Sequence, residues 1–342
     1  MKRKAVAALA IALLLLVLFT VVVGWEGVLA AIGRASIRTY ALAFAAAAGC
    51  LLCRSLVWHR MLSTVDRPRP YWLVGSLFLT AMFAKYVAPY GQVTSGVGIA
   101  AIVSRYYDSA YEEALAAVAS ADFLNYVPYY TFGSIALGYV LFVYSPPIAL
   151  EQYAPMVAAL VVGVVAFVGV VWLRRDLAYE AILSLSSGLR HVLERVAPGR
   201  AGQLRRENVA RRFEGFYTTL DLVSRDRRAL ASALAYAHAG WLAFAAVLYV
   251  SAAAVEAPIP FGVAMAAVAL SKIGFVVPTP GGLGGVEAAL AGVLVLLTPM
   301  SSAVALAVAL LYRFATYWFT ILVGGVASIA LTLKDPLPPE AG

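Results

Sequence analysis

The 342 residues are 63% hydrophobic and only 13% charged, with a mean hydropathy of +0.85. No soluble core hides that share of apolar side chains, so composition excludes a soluble globular domain and indicates a chain that crosses a membrane several times. The net charge of +8 is clustered in loops between apolar runs, which reads as membrane topology and argues against nucleic acid as a partner.

Met1–Lys4 is basic and precedes an apolar run over residues 5–23. That run is longer than a signal-peptide core, so an uncleaved first helix with its basic end in the cytoplasm is expected. A second span is expected over 37–57, with Arg54, Arg60, Arg67 and Arg69 at its cytoplasmic end. Cys50 and Cys53 form a CxxC inside this span, where they read as small packable helix residues rather than a redox or metal site. Two apolar limbs follow, 72–88 and 92–104, broken at Ala88-Pro89-Tyr90-Gly91. At 1.5 Å per residue each limb covers roughly 20–25 Å, against about 30 Å of hydrocarbon, so a re-entrant hairpin from the cytoplasmic face is expected over 72–104. Residues 111–144 suffice for one long helix kinked near Pro128. The loop 145–152 lacks Lys and Arg and is placed outside, and 153–173 returns the chain.

Residues 174–228 hold twelve arginines and seven acidic residues. Ile182, Leu185, Leu189, Val192 and Val196 recur three and four apart, the mark of an amphipathic helix, and Phe213, Phe216, Leu220 and Val223 suggest a second. This stretch reads as a basic cytoplasmic linker lying on the inner leaflet. A span at 230–254 leads out, a second hairpin at 259–297 enters from the outside, and a last helix at 301–333 ends in the cytoplasm. The expected fold is an all-α polytopic membrane protein of about six full spans and two re-entrant helical hairpins. Its parts are a first membrane half (1–173), the basic linker (174–228) and a second half (229–342), in the cell membrane with both termini cytoplasmic.

The stretch Lys272–Glu287, KIGFVVPTPGGLGGVE, interrupts the second hairpin. Pro278 and Pro280 each remove a backbone donor, and Gly281, Gly282, Gly284 and Gly285 permit a turn closed to other residues. A broken backbone in a bilayer survives only when buried in protein or facing a wet cavity. The limb after Pro280 aims its N–H groups and positive dipole end at the tip, an anion site made of backbone. Lys272, Lys85 (one turn before Pro89) and Arg313 add positive charge, and Gln92, Thr94, Ser95 and Asn125 offer neutral hydrogen bonds. Together they describe a basic cavity suited to an anionic headgroup. Other readings stand beside this one. Lys85 and Lys272 snorkel if the limbs sit shallow, Glu287 caps the second limb without any ligand, and Asp122 or Glu287 is a candidate proton carrier. Asp122 and Arg313 either serve the site or pair with each other to lock the two halves. His59, His191 and His238 are scattered, and HExxH, P-loop and GxSxG patterns are absent, so no catalytic residue, metal or cofactor is expected.

A shift of 191 residues aligns Pro89 with Pro280, Phe123 with Phe314 and Tyr126 with Tyr317, and sets Asp122 opposite Arg313. Each half then holds a broken hairpin followed by a long charged helix, an inverted repeat of the kind secondary transporters use.

The run PTPGGLGGVEAAL resembles the flippase-like transmembrane domain of lysylphosphatidylglycerol synthases, also attached to some archaeal polyprenyl-phosphate glycosyltransferases. Pro278, Pro280, Gly281, Gly282, Leu283, Gly284 and Glu287 match its Pro-x-Pro-Gly-Gly-Leu-Gly run and following Glu, and Arg313 in LYRFATYW matches its later arginine. PYGQVTSGVGIAAIVSRYY is similar to its first-half Gly-Gln segment. Many members carry Glu-Arg before the aspartate of the first long helix, whereas this chain reads Ser120-Ala121-Asp122. Residues 174–228 are far too short for a soluble transferase domain, so a stand-alone member is expected. The resemblance implies a flippase moving an anionic phospholipid or a polyprenyl-phosphate-linked sugar between leaflets. The alternatives are a secondary transporter of a small anion, an intramembrane lipid transferase, and a platform for a separately encoded glycosyltransferase.

Overall fold

The computed structural model describes residues 25–65, 67–87, 99–100, 102–107, 111–144, 225–277 and 279–334. The expected first span at 5–23, the break around Pro89 with Gln92, Thr94 and Ser95, the span at 153–173, the linker as far as residue 224 and Pro278 lie outside the described residues. The elements are α1 (Trp25–Gly33), α2 (Ile37–Val65), α3 (Tyr71–Val87), α4 (Tyr111–Tyr139), α5 (Arg227–Ala254), α6 (Phe261–Leu270), α7 (Gly285–Leu297), α8 (Ser302–Arg313) and α9 (Phe319–Lys334). There is no strand among the described residues. Among the described residues five helical stretches are long and apolar enough to cross a membrane: Ile37–Thr64, Glu113–Tyr144, Arg227–Ala254, Pro280–Leu297 and Ser302–Leu333. The chain is an all-α multi-pass membrane protein.

Local chemistry sets the ends of these helices. Asp226 caps α5, its carboxylate accepting from Arg228 N at 3.1 Å and Ala229 N at 2.9 Å. Ser301 does the same for α8 through Val304 N at 3.4 Å. Pro70 accepts from Leu73 N at 3.0 Å and opens α3. Helix α4 carries Pro128 and closes in a π turn, Val140–Tyr144. A second π turn, Phe314–Trp318, separates α8 from α9. Helix α2 runs two turns beyond the expected end of its span at residue 57, which moves Arg54 from a cytoplasmic boundary into the middle of a helix.

Helices α2 and α5 lie antiparallel at the centre, and Ser36 N donates to Ala254 O at 2.8 Å. At the start of α5, Ala229 and Ala233 join Met61, Val74, Val103, Tyr107 and Leu331 in one apolar cluster. At its end, Ala252 and Val255 join Val28, Ile259, Leu290 and Leu306 in another. Residues 69 and 107 lie at the first of these ends, and the feet of the second hairpin, 257–260 and 298–301, at the other. Arg69 lies 5.8 Å from the Tyr107 ring centroid, so the chain that leaves at 69 returns at 107. Both feet of the other hairpin, 257–260 and 298–301, line one cavity of about 300 Å³ together with Tyr144.

The second hairpin turns through two short 3-10 segments, Ser271–Val276 and Pro280–Gly282. Gly281 has φ 58°, and a Cβ there collides with the Tyr317 ring. The limbs touch at Gly274 and Gly285, where a Cβ on either residue runs into the backbone of the other. The C-terminal end of α3 reaches this turn: Tyr317 Oη donates to Tyr86 O and to Pro280 O, each at 3.4 Å.

Candidate functional site

Two charged constellations sit where the hairpins meet. The first is closed on itself. Glu287 is 1% exposed and Arg313 5%, and Arg313 Nε donates to Glu287 Oε1 at 2.7 Å. The other carboxylate oxygen accepts from Gly284 N at 2.8 Å, which caps α7, and Arg313 Nη2 donates to Gly281 O at 2.8 Å. Tyr317 lies beneath the guanidinium, its ring centroid 4.4 Å away. Buried charges persist when paired and hydrogen-bonded in this way, and the network fixes the Gly281–Gly285 turn against α8.

The second constellation is open. A cavity of about 280 Å³ is lined by Cys50 and Arg54 of α2, Met82, Lys85 and Tyr86 of α3, Asn125, Tyr126, Tyr129 and Tyr130 of α4, Trp241 and Phe244 of α5, and Lys272 and Phe275 of the second hairpin. Lys85, 6% exposed, is held by Asp122 with Nζ–Oδ2 of 3.6 Å and faces the Tyr126 ring at 5.4 Å. Trp58 Nε1 donates to the other Asp122 oxygen at 3.1 Å. Lys272 Nζ lies 4.9 Å from the Phe244 centroid and 5.2 Å from that of Phe275. Among the described residues no ion pair involves Lys272 or Arg54. An unpaired cation at the centre of a spanning helix, as Arg54 is in α2, costs about 2.5–3.5 kcal/mol on insertion scales, so a lining that keeps it, with Lys272 on the Ser271–Val276 segment, is set up for negative charge. Arg54 Nε, Asn125 Oδ1 and Trp241 Nε1 are buried without a hydrogen-bond partner, three further polar groups left on lining residues.

The structure sorts the sequence candidates accordingly. Lys85, Lys272 and Asn125 line the cavity, and Asp122 stands behind Lys85. Gly281, Gly284, Glu287 and Arg313 form the closed network, Pro280 accepts from Tyr317, and Gly282 lies against Phe275. Asp122 and Arg313 do not pair with each other. Asp122 is bound instead to Lys85 of α3, and Arg313 to Glu287 of α7. Sequence reasoning missed Arg54 and most of the aromatic wall. The signal for Arg54 was the eleven residues of uninterrupted helix-compatible sequence after it, before Asp66 and Pro68.

The sequence profile of the lysylphosphatidylglycerol synthase TM region matches residues 5–324. No curated protein matches the chain.

Proposed function

The chain belongs to the lysylphosphatidylglycerol synthase transmembrane-region family, and from that premise we propose that it translocates lipids with anionic headgroups between leaflets. The family ties the chain to membrane-lipid chemistry. The observation that carries the finer reading is the cavity of about 280 Å³ lined by Lys85, Arg54 and Lys272, of which only Lys85 has an ion-pair partner among the described residues. At about 30 Å³ per water, that volume takes roughly nine waters, enough for a headgroup and not for acyl chains. Two lining residues, Tyr126 and Tyr130, are 38% and 48% exposed near the middle of the Glu113–Tyr144 span. This sideward exposure supports a headgroup that enters from the lipid while its tails stay outside, against a sealed path for a free anion.

The hairpins opening toward opposite ends support their reading as re-entrant elements of an inverted repeat. So does the matching plan in which each hairpin is ion-paired to the long helix of its own half. Arginine placement in the sequence orients the termini to the cytoplasm of the cell membrane, with 174–228 as the linker between the halves. That basic linker is also the surface on which a separately encoded glycosyltransferase would dock.

The test is leaflet exchange of labelled anionic and neutral lipids in liposomes holding purified protein. Parent protein exchanges the anionic lipid, and Arg54→Gln and Lys272→Gln, still folded, lose that exchange. Exchange that ignores headgroup charge, or that survives both substitutions, overturns the proposal. Uptake of a water-soluble anion without lipid exchange transfers the site to a solute carrier.

A further inference from the structure

We infer that the headgroup taken by the central cavity carries two negative charges, as a phosphate monoester or a diphosphate does, rather than the single charge of a phosphodiester. This rests on the translocation reading and names its substrate class. The charges near the hairpin tips can be followed one by one. Arg313 is matched by Glu287 at 2.7 Å and Lys85 by Asp122 at 3.6 Å. Arg54, from α2, and Lys272, from the second hairpin, remain on one small wall with no ion pair among the described residues, and Asp122, whose field also reaches Arg54, is already paired with Lys85. A monoanion neutralises one of them and leaves the other uncompensated at membrane depth, whereas a dianion answers both.

The hydrogen-bonding capacity of the wall points the same way. Arg54 brings a planar fork suited to bidentate contact with phosphate. The hydroxyls of Tyr86, Tyr129 and Tyr130 and the unpartnered Trp241 Nε1 are further donors on the lining. A terminal phosphate offers three acceptor oxygens, one more than the non-bridging pair of a phosphodiester. Asn125 Oδ1, an unpartnered acceptor, suits a hydroxyl next to the phosphate.

The experiment is equilibrium binding to the full chain in phosphatidylcholine nanodiscs. Four probes are compared: dihexanoyl phosphatidate, farnesyl diphosphate, dihexanoyl phosphatidylglycerol and the tail-free glycerol 3-phosphate. At pH 8 the phosphatidate and the diphosphate are expected to bind at least about tenfold tighter than the phosphatidylglycerol. Arg54→Gln and Lys272→Gln each reduce that preference to within about threefold, while Arg54→Lys, which keeps the charge, retains most of it. At pH 5 the phosphatidate preference collapses, because a phosphate monoester loses its second charge below about pH 6. Equal binding of phosphatidate and phosphatidylglycerol at pH 8 overturns the two-charge inference and leaves lipid translocation standing. Glycerol 3-phosphate binding as tightly as phosphatidate keeps the two-charge site and overturns the lipid reading.

Discussion

Glu287→Gln tests whether the closed network is a structural clasp or part of the substrate site. The substitution keeps the shape of the side chain and one acceptor but leaves the Arg313 guanidinium buried without its counter-charge. Removing one member of a buried pair costs about 3–5 kcal/mol. Loss of charge from the oxygen that accepts from Gly284 N weakens the cap of α7 as well. At about 2–4 °C per kcal/mol for a chain of this size, the melting temperature of purified protein falls by roughly 10 °C. Arg313→Met, which strands Glu287, falls by a similar amount. The double variant Glu287→Leu/Arg313→Met buries no charge and recovers about half of the loss, its remaining deficit being the hydrogen bonds to Gly284 and Gly281, about 1 kcal/mol each. Thermal melts of the four proteins in one detergent set the two stranded charges against a neutral pair and the parent. Single variants that melt within 2 °C of the parent and yet lose lipid exchange refute the clasp, and place Arg313 on the substrate.

Gly274→Ala and Gly285→Ala force a methyl group into the facing limb and are expected to cost about 1–3 kcal/mol in melts, whereas Gly292→Ala on the same helix α7, with open space around it, is neutral or stabilising. Trp58→Phe removes the donor to Asp122 and is expected to cost about 1.5–3 kcal/mol, the range for a hydrogen bond to a charged group; an unchanged melt would remove Trp58 from the support of the Lys85–Asp122 pair. Cys50 is 3% exposed and Cys53 is half-buried, so native protein reacts with a thiol reagent first at Cys53, mapped by peptide mass, and at Cys50 only on unfolding. Tyr317→Phe deletes two long hydrogen bonds to Tyr86 O and Pro280 O; worth together about 0.5–1 kcal/mol, their loss speeds exchange by roughly two- to fivefold if the hairpins must part, and slower exchange refutes that.

The sequence carried the architecture because bilayer physics leaves few options. Apolar length set the spans, and the run of prolines and glycines at Pro278–Gly285 marked a turn that occurs where Gly281 takes φ 58°. Lys85 and Lys272 were legible as charges within apolar sequence, and both line the cavity. The partners of the charges were not. Asp122 and Arg313 fall opposite each other at a shift of 191 residues, which suggested a bond between them, but Asp122 pairs with Lys85 of α3 and Arg313 with Glu287 of α7. Arg54 was hidden because it was grouped with Arg60, Arg67 and Arg69 as one cytoplasmic boundary, although α2 continues to Val65. The aromatic wall was also hidden, since Tyr126, Tyr129 and Tyr130 become a surface only when α4 is seen against α2, α3 and α5.

The cavity and the clasp are joined through one helix. The second hairpin packs on α8 and the α3 limb of the first packs on α9, with the π turn Phe314–Trp318 between the two contacts. Deleting one residue from such a turn would rotate everything after it by about 100°, so both contacts depend on the extra residue that the π turn accommodates. Tyr86 forms cavity wall and stands 5.3 Å, centroid to centroid, from Tyr317, which in turn lies under Arg313. Within the second hairpin the bonds to α8 are charged and short, at 2.7 and 2.8 Å, while the link across the tips consists of two neutral contacts at 3.4 Å. The neutral Tyr86–Tyr317 contact is therefore the weaker link around the cavity, beside the charged bonds that hold the turn to α8 and the Lys85–Asp122 pair that holds α3 to α4. Helices bend most readily where the main-chain ladder is already out of register, and here that place lies between the two hairpins' footholds.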